Sequence, residues 1–434
     1  MKKLNRILIC IALVLLLVVA WMLVTTQESD LDIQVRLIAE AEALLEDEIY
    51  IRAQPLLEQA ISYDAPQREK AEQLLKGVYK ALIEETGYAN LLDELIETQI
   101  SREDCPAYLY QEASDHYLGT ADIQEAIAAL RIGYARTGDE DLGRAYESIR
   151  YAYTSNGELY DEVTAVYNGM IQVKRMGSWG MADSVGTLVI PCQYDKISTY
   201  SADKAIVRKD GEIFSIDSSN HRLYLLKEPV EDFSNYGNDL VGFLVDTGWV
   251  RGNGTFAMGT AAFEELGMYT NGYAAAKQEG KWGVINTDAE WVVQPIYDEI
   301  LMDELGRCWE QNAVFARSGS TVHLIIGGEV TEYSFEDAHP FNEEGWAAVK
   351  KAGKWCFIDA SGQVMLECDC ENVRSFGGHL AAVQQDGLWG FISTQGQLVV
   401  DYMYTDVRDF TGGSAPVCTE DGWMFIILDE YKED

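Results

Sequence analysis

Residues 380–396 read Leu380-Ala-Ala-Val-Gln-Gln-Asp-Gly-Leu-Trp389-Gly-Phe-Ile-Ser-Thr-Gln-Gly396, and they carry the grammar of more than half the chain. A short run of small and branched residues, Ala381-Ala382-Val383, enters a Gly-containing turn and returns as Trp389-Gly390-Phe391-Ile392. Two apolar runs joined by such a turn predict a β-hairpin. Trp355 lies 34 residues before Trp389, and Trp423 lies 34 after it. The hairpin recurs at Gly177-Ser-Trp179-Gly180, Gly280-Lys-Trp282-Gly283 and Gly353-Lys-Trp355-Cys356. Weaker copies put Ile213, Trp249 and Thr321 at the Trp position. Ala274-Ala275-Ala276, Ala347-Ala348-Val349 and Ala415-Pro416-Val417 precede the turn in other copies, where small side chains let neighbouring sheets approach closely.

Seven residues beyond the Trp stands a second turn residue, Gly186, Gly362 or Gly396, where a positive φ is expected. Asn220, the next best left-handed residue, takes that place in a degenerate copy. Ala289 is the exception and leaves the turn type open. A third strand follows, Thr187–Pro191 or Glu290–Pro295, and leads to an aromatic-acidic step: Tyr194-Asp195, Tyr297-Asp298 or Phe335-Glu336. These residues closely resemble the WG-repeat family of bacterial proteins over about residues 173–428. That family is defined by its repeat, so the resemblance implies no reaction.

A unit of this size cannot bury its own faces, so the units must pack on one another. Eight first hairpins can be counted, against seven aromatic-acidic steps near Tyr194, Val230, Phe263, Tyr297, Phe335, Cys370 and Tyr404. An incomplete last copy is what a ring needs if its two ends share one blade. Upstream, over residues 30–168, apolar residues recur at helical spacing, as in Leu37, Ala41, Leu44 and Leu45. Ala53, Leu56, Leu57, Ala60 and Ile61 form another face, closed by Asp64-Ala65-Pro66. Ala53, Ala60, Pro66, Gly119, Ala126 and Leu130 resemble the small-residue pattern of tetratricopeptide repeats; an irregular stack of helical hairpins is the plainer reading.

The leader reads as an address. Ile7 to Val24 is an uncharged apolar run of 18 residues, preceded by Lys2, Lys3 and Arg6 and followed by Glu28, Asp30 and Asp32. As a helix it would span about 27 Å, enough for a bilayer core. A cleavage site at Val18-Val19-Ala20 is disfavoured, because Trp21-Met22-Leu23-Val24 continues the run. The charge bias predicts a cytoplasmic residue 1–6 segment, a single-pass signal anchor at 7–24 and an extracytoplasmic bulk. The expected fold class is thus α+β multidomain. It comprises an N-terminal transmembrane helix, a helical tetratricopeptide-like domain (30–168), an all-β repeat domain (173–428) and an acidic tail (429–434). The β domain is expected to be propeller-like with seven to eight units, an open β-hairpin stack being the alternative.

With 33 basic against 71 acidic residues, the net charge is −38. Phosphate backbones would be repelled, which excludes nucleic acid and favours cationic partners whose binding weakens with salt. Cys368-Asp-Cys370 is half a metal site without a second Cys or His pair at ligand spacing, so no metal is expected. Seven cysteines beyond the leader at irregular spacing do not form a disulfide framework. Gly252-Asn-Gly254 imitates a dinucleotide fingerprint but sits inside a β-repeat, with no following helix to meet a pyrophosphate. No cofactor and no catalytic residue is assigned. Asp195, Asp298 and Glu336 recur once per unit, the mark of turn or edge residues.

Trp179, Gly180, Trp249, Trp282, Gly283, Trp355, Trp389, Gly390 and Trp423 are read as structural repeat positions, with the Trp side chains in the core. One unit is longer, 39 residues from Trp282 to Thr321. Its insertion, with Asp303, Glu304, Arg307 and Trp309, is expected to be a surface loop and the candidate contact site. The function expected is a membrane-anchored extracytoplasmic scaffold that binds protein or cell-wall glycan without catalysis. The alternative is an exported carbohydrate-active enzyme with paired carboxylates on a propeller-like fold.

Overall fold

The computed structural model describes residues 29–342 and 344–431, in two compact units that divide between Tyr146 and Glu147. The first is helical: Asp30–Glu46, Tyr50–Ile61, Arg68–Ala81, Tyr88–Ser101, Ala107–Gly119, Ile123–Thr137 and Glu140–Ile149. Ser29 opens it with a capping box, its hydroxyl accepting from the Asp32 N–H at 3.2 Å. Successive helices pack through their apolar faces, with Ala41, Ala53, Leu57, Ala60 and Val78 fully buried. A buried carboxylate, Glu72, is satisfied by Arg68 at 3.0 Å, Arg102 at 2.8 Å and Gln99 at 2.9 Å.

The second unit is a ring of eight four-stranded antiparallel sheets, an eight-bladed β-propeller. Blade 1 runs Glu162–Tyr167, Met170–Arg175, Ser178–Asp183 and Leu188–Tyr194 in order across the sheet, and blades 2 to 7 repeat that order. Blade 8 takes Asp406–Val407, Ser414–Thr419 and Gly422–Leu428 from the C-terminal side. Its fourth strand is Tyr153–Ser155, with Tyr153 opposite Leu428 and Ser155 opposite Ile426. The two ends of the unit thus close the ring by sharing a blade.

Local chemistry explains each blade. The second strands are buried on both faces, and Ala274, Ala275 and Ala276 retain no accessible surface. Their hairpins turn through two left-handed residues, as at Asp386-Gly387 with φ 52° and 78°, the geometry that matches strand twist. The acid of the aromatic-acidic step caps this turn in the following blade. Asp195 accepts from the Asp210 N–H, Asp298 from Gly319, Glu336 from Gly353 and Glu371 from Gly387, at 2.7–3.2 Å. The second turn is left-handed at Gly186, Asn220, Gly362 and Gly396, and Ala289 adopts it too at φ 62°.

The Gly after the Trp has a different reason. A Cβ at Gly180, Gly283 or Gly390 would stand 2.4–2.5 Å from the carbonyl oxygen of Ile190, Val293 or Val400 on the fourth strand. Register shifts occur at those three positions, between Trp179 and Met181, Trp282 and Val284, and Trp389 and Phe391. Where Val250, His323 or Cys356 replaces the Gly, pairing continues through the position without a shift, and in blade 5 the register places Val322 rather than Thr321 at the Trp position. The glycine therefore admits a β-bulge.

Four expectations are corrected. Among the described residues no helix is long and apolar enough to cross a membrane. Each described helix carries charge along its length, as Asp30, Asp32, Arg36, Glu40 and Glu42 do in the first. The apolar run at 7–24 and the segment 1–6 lie outside the described residues, so the architecture is a helical unit followed by a propeller, and the single-pass membrane localisation is not retained. The helices end at Ile149 rather than 168, because β-branched Val163 and Thr164 and the stretch from Tyr153 pair as strands. Asp429–Tyr431 is a 3-10 turn rather than a free tail, with the Asp429 N–H donating to the Ala152 carbonyl at 2.8 Å. Cys368 and Cys370 form a disulfide beside the core cluster of Trp355, Phe357 and Phe376, and Cys368 stands opposite Trp355 where Tyr194, Tyr297 and Tyr404 stand opposite the Trp of their blades. Its two cysteines are adjacent on one turn, a pairing that needs no wider framework.

Candidate functional site at the propeller axis

Residues on the first two strands of a blade and in the loops after first strands meet those of other blades, which marks this side as the inner edge of the ring. Gln172 of blade 1 donates to Asn235 of blade 3 at 3.1 Å, and Arg408 of blade 8 donates to the Val163 carbonyl of blade 1 at 3.4 Å. The fourth strands form the outer edge, with Leu223, Tyr224 and Leu225 exposed.

The long insertion of blade 5 reaches into this axis instead of lying on the surface, which corrects the expectation for Asp303, Glu304, Arg307 and Trp309. Its core is a self-contained turn. Asp303 accepts from the Leu305 and Arg307 N–H groups at 3.0 and 2.9 Å, and Gly306 is left-handed at φ 89°. The same Asp-x-x-Gly-x arrangement makes the Asp183–Thr187 turn, where Asp183 accepts from Val185 and Thr187. The pair Glu299–Arg317 is 18 residues apart in sequence where Glu265–Lys277 is 12, and the six extra residues amount to one such turn.

Leu305, 3% exposed, is buried with Ala165 of blade 1 and Met268 of blade 4. Its carbonyl accepts from Asn235 at 3.0 Å, and the Gly306 carbonyl accepts from the Met268 N–H at 2.9 Å. Glu304 crosses to the other side, paired with Arg374 of blade 7 at 3.0 Å and Arg408 of blade 8 at 2.6 Å. Arg374 also holds Asp409 at 2.7 Å, and Arg408 holds Asp406 at 3.0 Å. Burial pushes the Glu304 carboxyl upward while the two guanidinium groups pull it back. Its side chain keeps 25% of its accessibility, so it lines a watered channel, not a dry core. Trp309, 3% exposed, stacks on Tyr273 with ring centres 4.5 Å apart and anchors the far end of the loop.

The plug separates two cavities, and Met302, Asp303 and Glu304 line both. One, of about 460 Å³, is walled by blades 2 to 5, including Trp249 and Trp282. The other, of about 350 Å³, is walled chiefly by loops following the first strands of blades 5 to 8. There His339 stacks on Trp355, and burial followed by the Arg374 charge lowers its pKa, keeping the imidazole neutral near pH 7. Sequence reasoning missed His339, Arg374 and Arg408; only the lengthened unit pointed to the axis.

Of the repeat tryptophans, Trp355, Trp389 and Trp423 are buried, whereas Trp179, Trp249 and Trp282 are half-buried. Among the described residues no group of His, Cys, Asp and Glu is arranged to hold a metal ion.

A ring of Trp-Gly blades with turn-capping acids defines a repeat propeller, and comparison with known families gives the repeat its name. The WG containing repeat matches at residues 179–212, 260–282, 282–304, 326–355, 357–389 and 389–423. The propeller of this chain thus contains WG repeats, six of which match. These matches lie wholly in the propeller, and the tetratricopeptide likeness of the helical unit rests on its residues alone. No curated protein matches the chain. Among solved structures, Kluyvelomyces marxianus Hsv2 is similar at 9% identity and TM-score 0.37, over 61% of this chain and 97% of that one. The Neurospora crassa Pan2 WD40 domain is similar at 10% identity and TM-score 0.33, over 63% and 91%. The AfRom2 CNH domain follows at 7% identity and TM-score 0.34, over 65% and 98%. Likenesses this distant decide nothing about role.

Proposed function

We propose that this chain is a protein-interaction scaffold without catalysis, its WG-repeat propeller presenting the face that surrounds the axial cavity. The observation that supports this most is the use made of its carboxylates. Those that recur with the repeat hold hairpin turns, and Glu304 and Asp409 at the axis are paired with arginines. A glycosidase needs two carboxyl groups set to act on either side of a glycosidic bond, a task that the turn-capping and arginine-paired acids do not have. A protein partner fits the axial face, where loops of several blades converge on one concave surface.

Crosslinking in cells followed by purification of the full chain should recover a defined protein partner. The purified chain should turn over no glycan in a broad substrate panel. Hydrolysis lost on changing two particular carboxylates, with folding intact, would overturn the scaffold reading. Recovery of cell-wall glycan alone would replace the protein partner.

A further inference from the structure

The 350 Å³ axial cavity has an unequal charge account at its rim and its floor. Its two cationic side chains are already engaged: Arg307 by Asp303 at 2.5 Å, and Arg374 by Glu304 and Asp409. Two of its carboxylates are not matched in this way. Glu310 accepts only from Asn271 at 2.8 Å and the Gln311 N–H at 3.3 Å, and Glu344 only from the His379 N–H at 3.1 Å. Neither is paired with a cation among the described residues.

A second observation is independent of these acids. Thr270 is 8% exposed and lines the same cavity, yet its hydroxyl has no hydrogen-bond partner. A buried hydroxyl left unsatisfied carries a desolvation cost that a ligand's donor would relieve. The neutral imidazole of His339 offers another acceptor on the same wall. Apolar wall is supplied by Phe341, Phe410 and Trp309. Vacant acceptors, unmatched negative charge and aromatic surface together suit a long side chain with an apolar stem and a cationic head.

We propose that this cavity receives one basic side chain, lysine or arginine, projecting from a partner protein. The inference rests on the scaffold reading and names the chemistry its axial face selects. The chain's charge of −38 favours approach of such a partner, and the cavity gives the approach a seat.

The test uses the full chain and a labelled, end-blocked peptide, Gly-Ser-Gly-Arg-Gly-Ser-Gly, with versions carrying lysine, citrulline or glutamate at the centre. Arginine and lysine peptides should bind, and citrulline, which keeps the shape without the charge, should bind at least about tenfold more weakly. The double variant Glu310→Gln/Glu344→Gln should weaken the arginine peptide by a similar factor. Glu329→Gln/Glu332→Gln, on the outer strand of blade 5, should leave it unchanged; thermal melts establish that both variants fold. Equal binding of arginine and citrulline peptides would overturn the proposal, as would equal losses in the two double variants. Absence of binding by both basic peptides at millimolar concentration would also overturn it. In that case a partner recovered by crosslinking would leave the scaffold reading standing.

Discussion

Trp355 and Trp389 retain 4% and 8% of their accessible surface, while Trp282 stays half-buried beneath Lys277, 5.7 Å above its ring. Trp355→Ala and Trp389→Ala should each destabilise the propeller by about 3–5 kcal/mol, and Trp282→Ala by distinctly less. Denaturant melts of the three variants check this order; equal effects would show that burial at the Trp position does not set its contribution. Asp232 tests charge instead. Burial alone would raise its carboxyl, but Lys196 at 2.8 Å and Arg208 at 3.2 Å hold it below its ordinary value. With a lowered folded-state pKa, the unfolded chain takes up the proton first as the medium is acidified. The contribution is therefore complete above the unfolded value of about 3.9 and lost as pH falls through the folded one. Asp232→Asn should lower stability at neutral pH and flatten the loss below about pH 4, as read from melts across an acid series.

The blade is an element whose exceptions are as regular as its rules. Glycine at 180, 283 and 390 accompanies a bulge, and bulkier residues at 250, 323 and 356 accompany uninterrupted pairing. Blade 6 combines Cys356 with the disulfide Cys368–Cys370, so one of the blades that lack this bulge also replaces the aromatic step with a sulfur bridge. Ala289 and Phe256 stand in a second turn that is left-handed through Gly or Asn in other blades, and they adopt φ 62° and 68° despite carrying a Cβ. For an L-residue that conformation costs roughly 1–2 kcal/mol. Ala289→Gly should raise stability by about 0.5–1 kcal/mol after the entropy that glycine loses on folding. A lowered melting temperature for this variant would mean that the turn is not left-handed in solution.

At the scale of the whole propeller, two devices hold the ring: the shared eighth blade at its circumference and the blade 5 plug at its axis. Glu304 ties the plug to Arg374 and Arg408, so removing its charge leaves two guanidinium groups facing each other across the channel. Glu304→Gln should cost about 1–3 kcal/mol, less than for a fully buried pair because water reaches the side chain. The turn at 303–307 should also become sensitive to protease, while the circular-dichroism signature of the blades persists. Unchanged stability would show that the apolar seat of Leu305 holds the plug unaided.

Local spacing alone determined the repeated hairpin, its Gly turns, the acids that recur with it and the count of eight, because each depends on backbone geometry within a few residues. The seven acidic steps against eight hairpins even implied a shared last blade, since a missing strand must be supplied from elsewhere in the chain. The donor of that strand was not legible: Tyr153–Ser155 lies where helical spacing was read, and its partner Gly422–Leu428 is remote in sequence. The inserted loop was visible as extra length, but its direction was not. Leu305, Asn235, Met268, Arg374 and Arg408 come from five blades and share no sequence signal, and only closure of the ring brings them to one axis. A loop that looked like surface became the centre because Asn235, the Met268 N–H and two arginines, all from other blades, could satisfy its carbonyls and its carboxylate there.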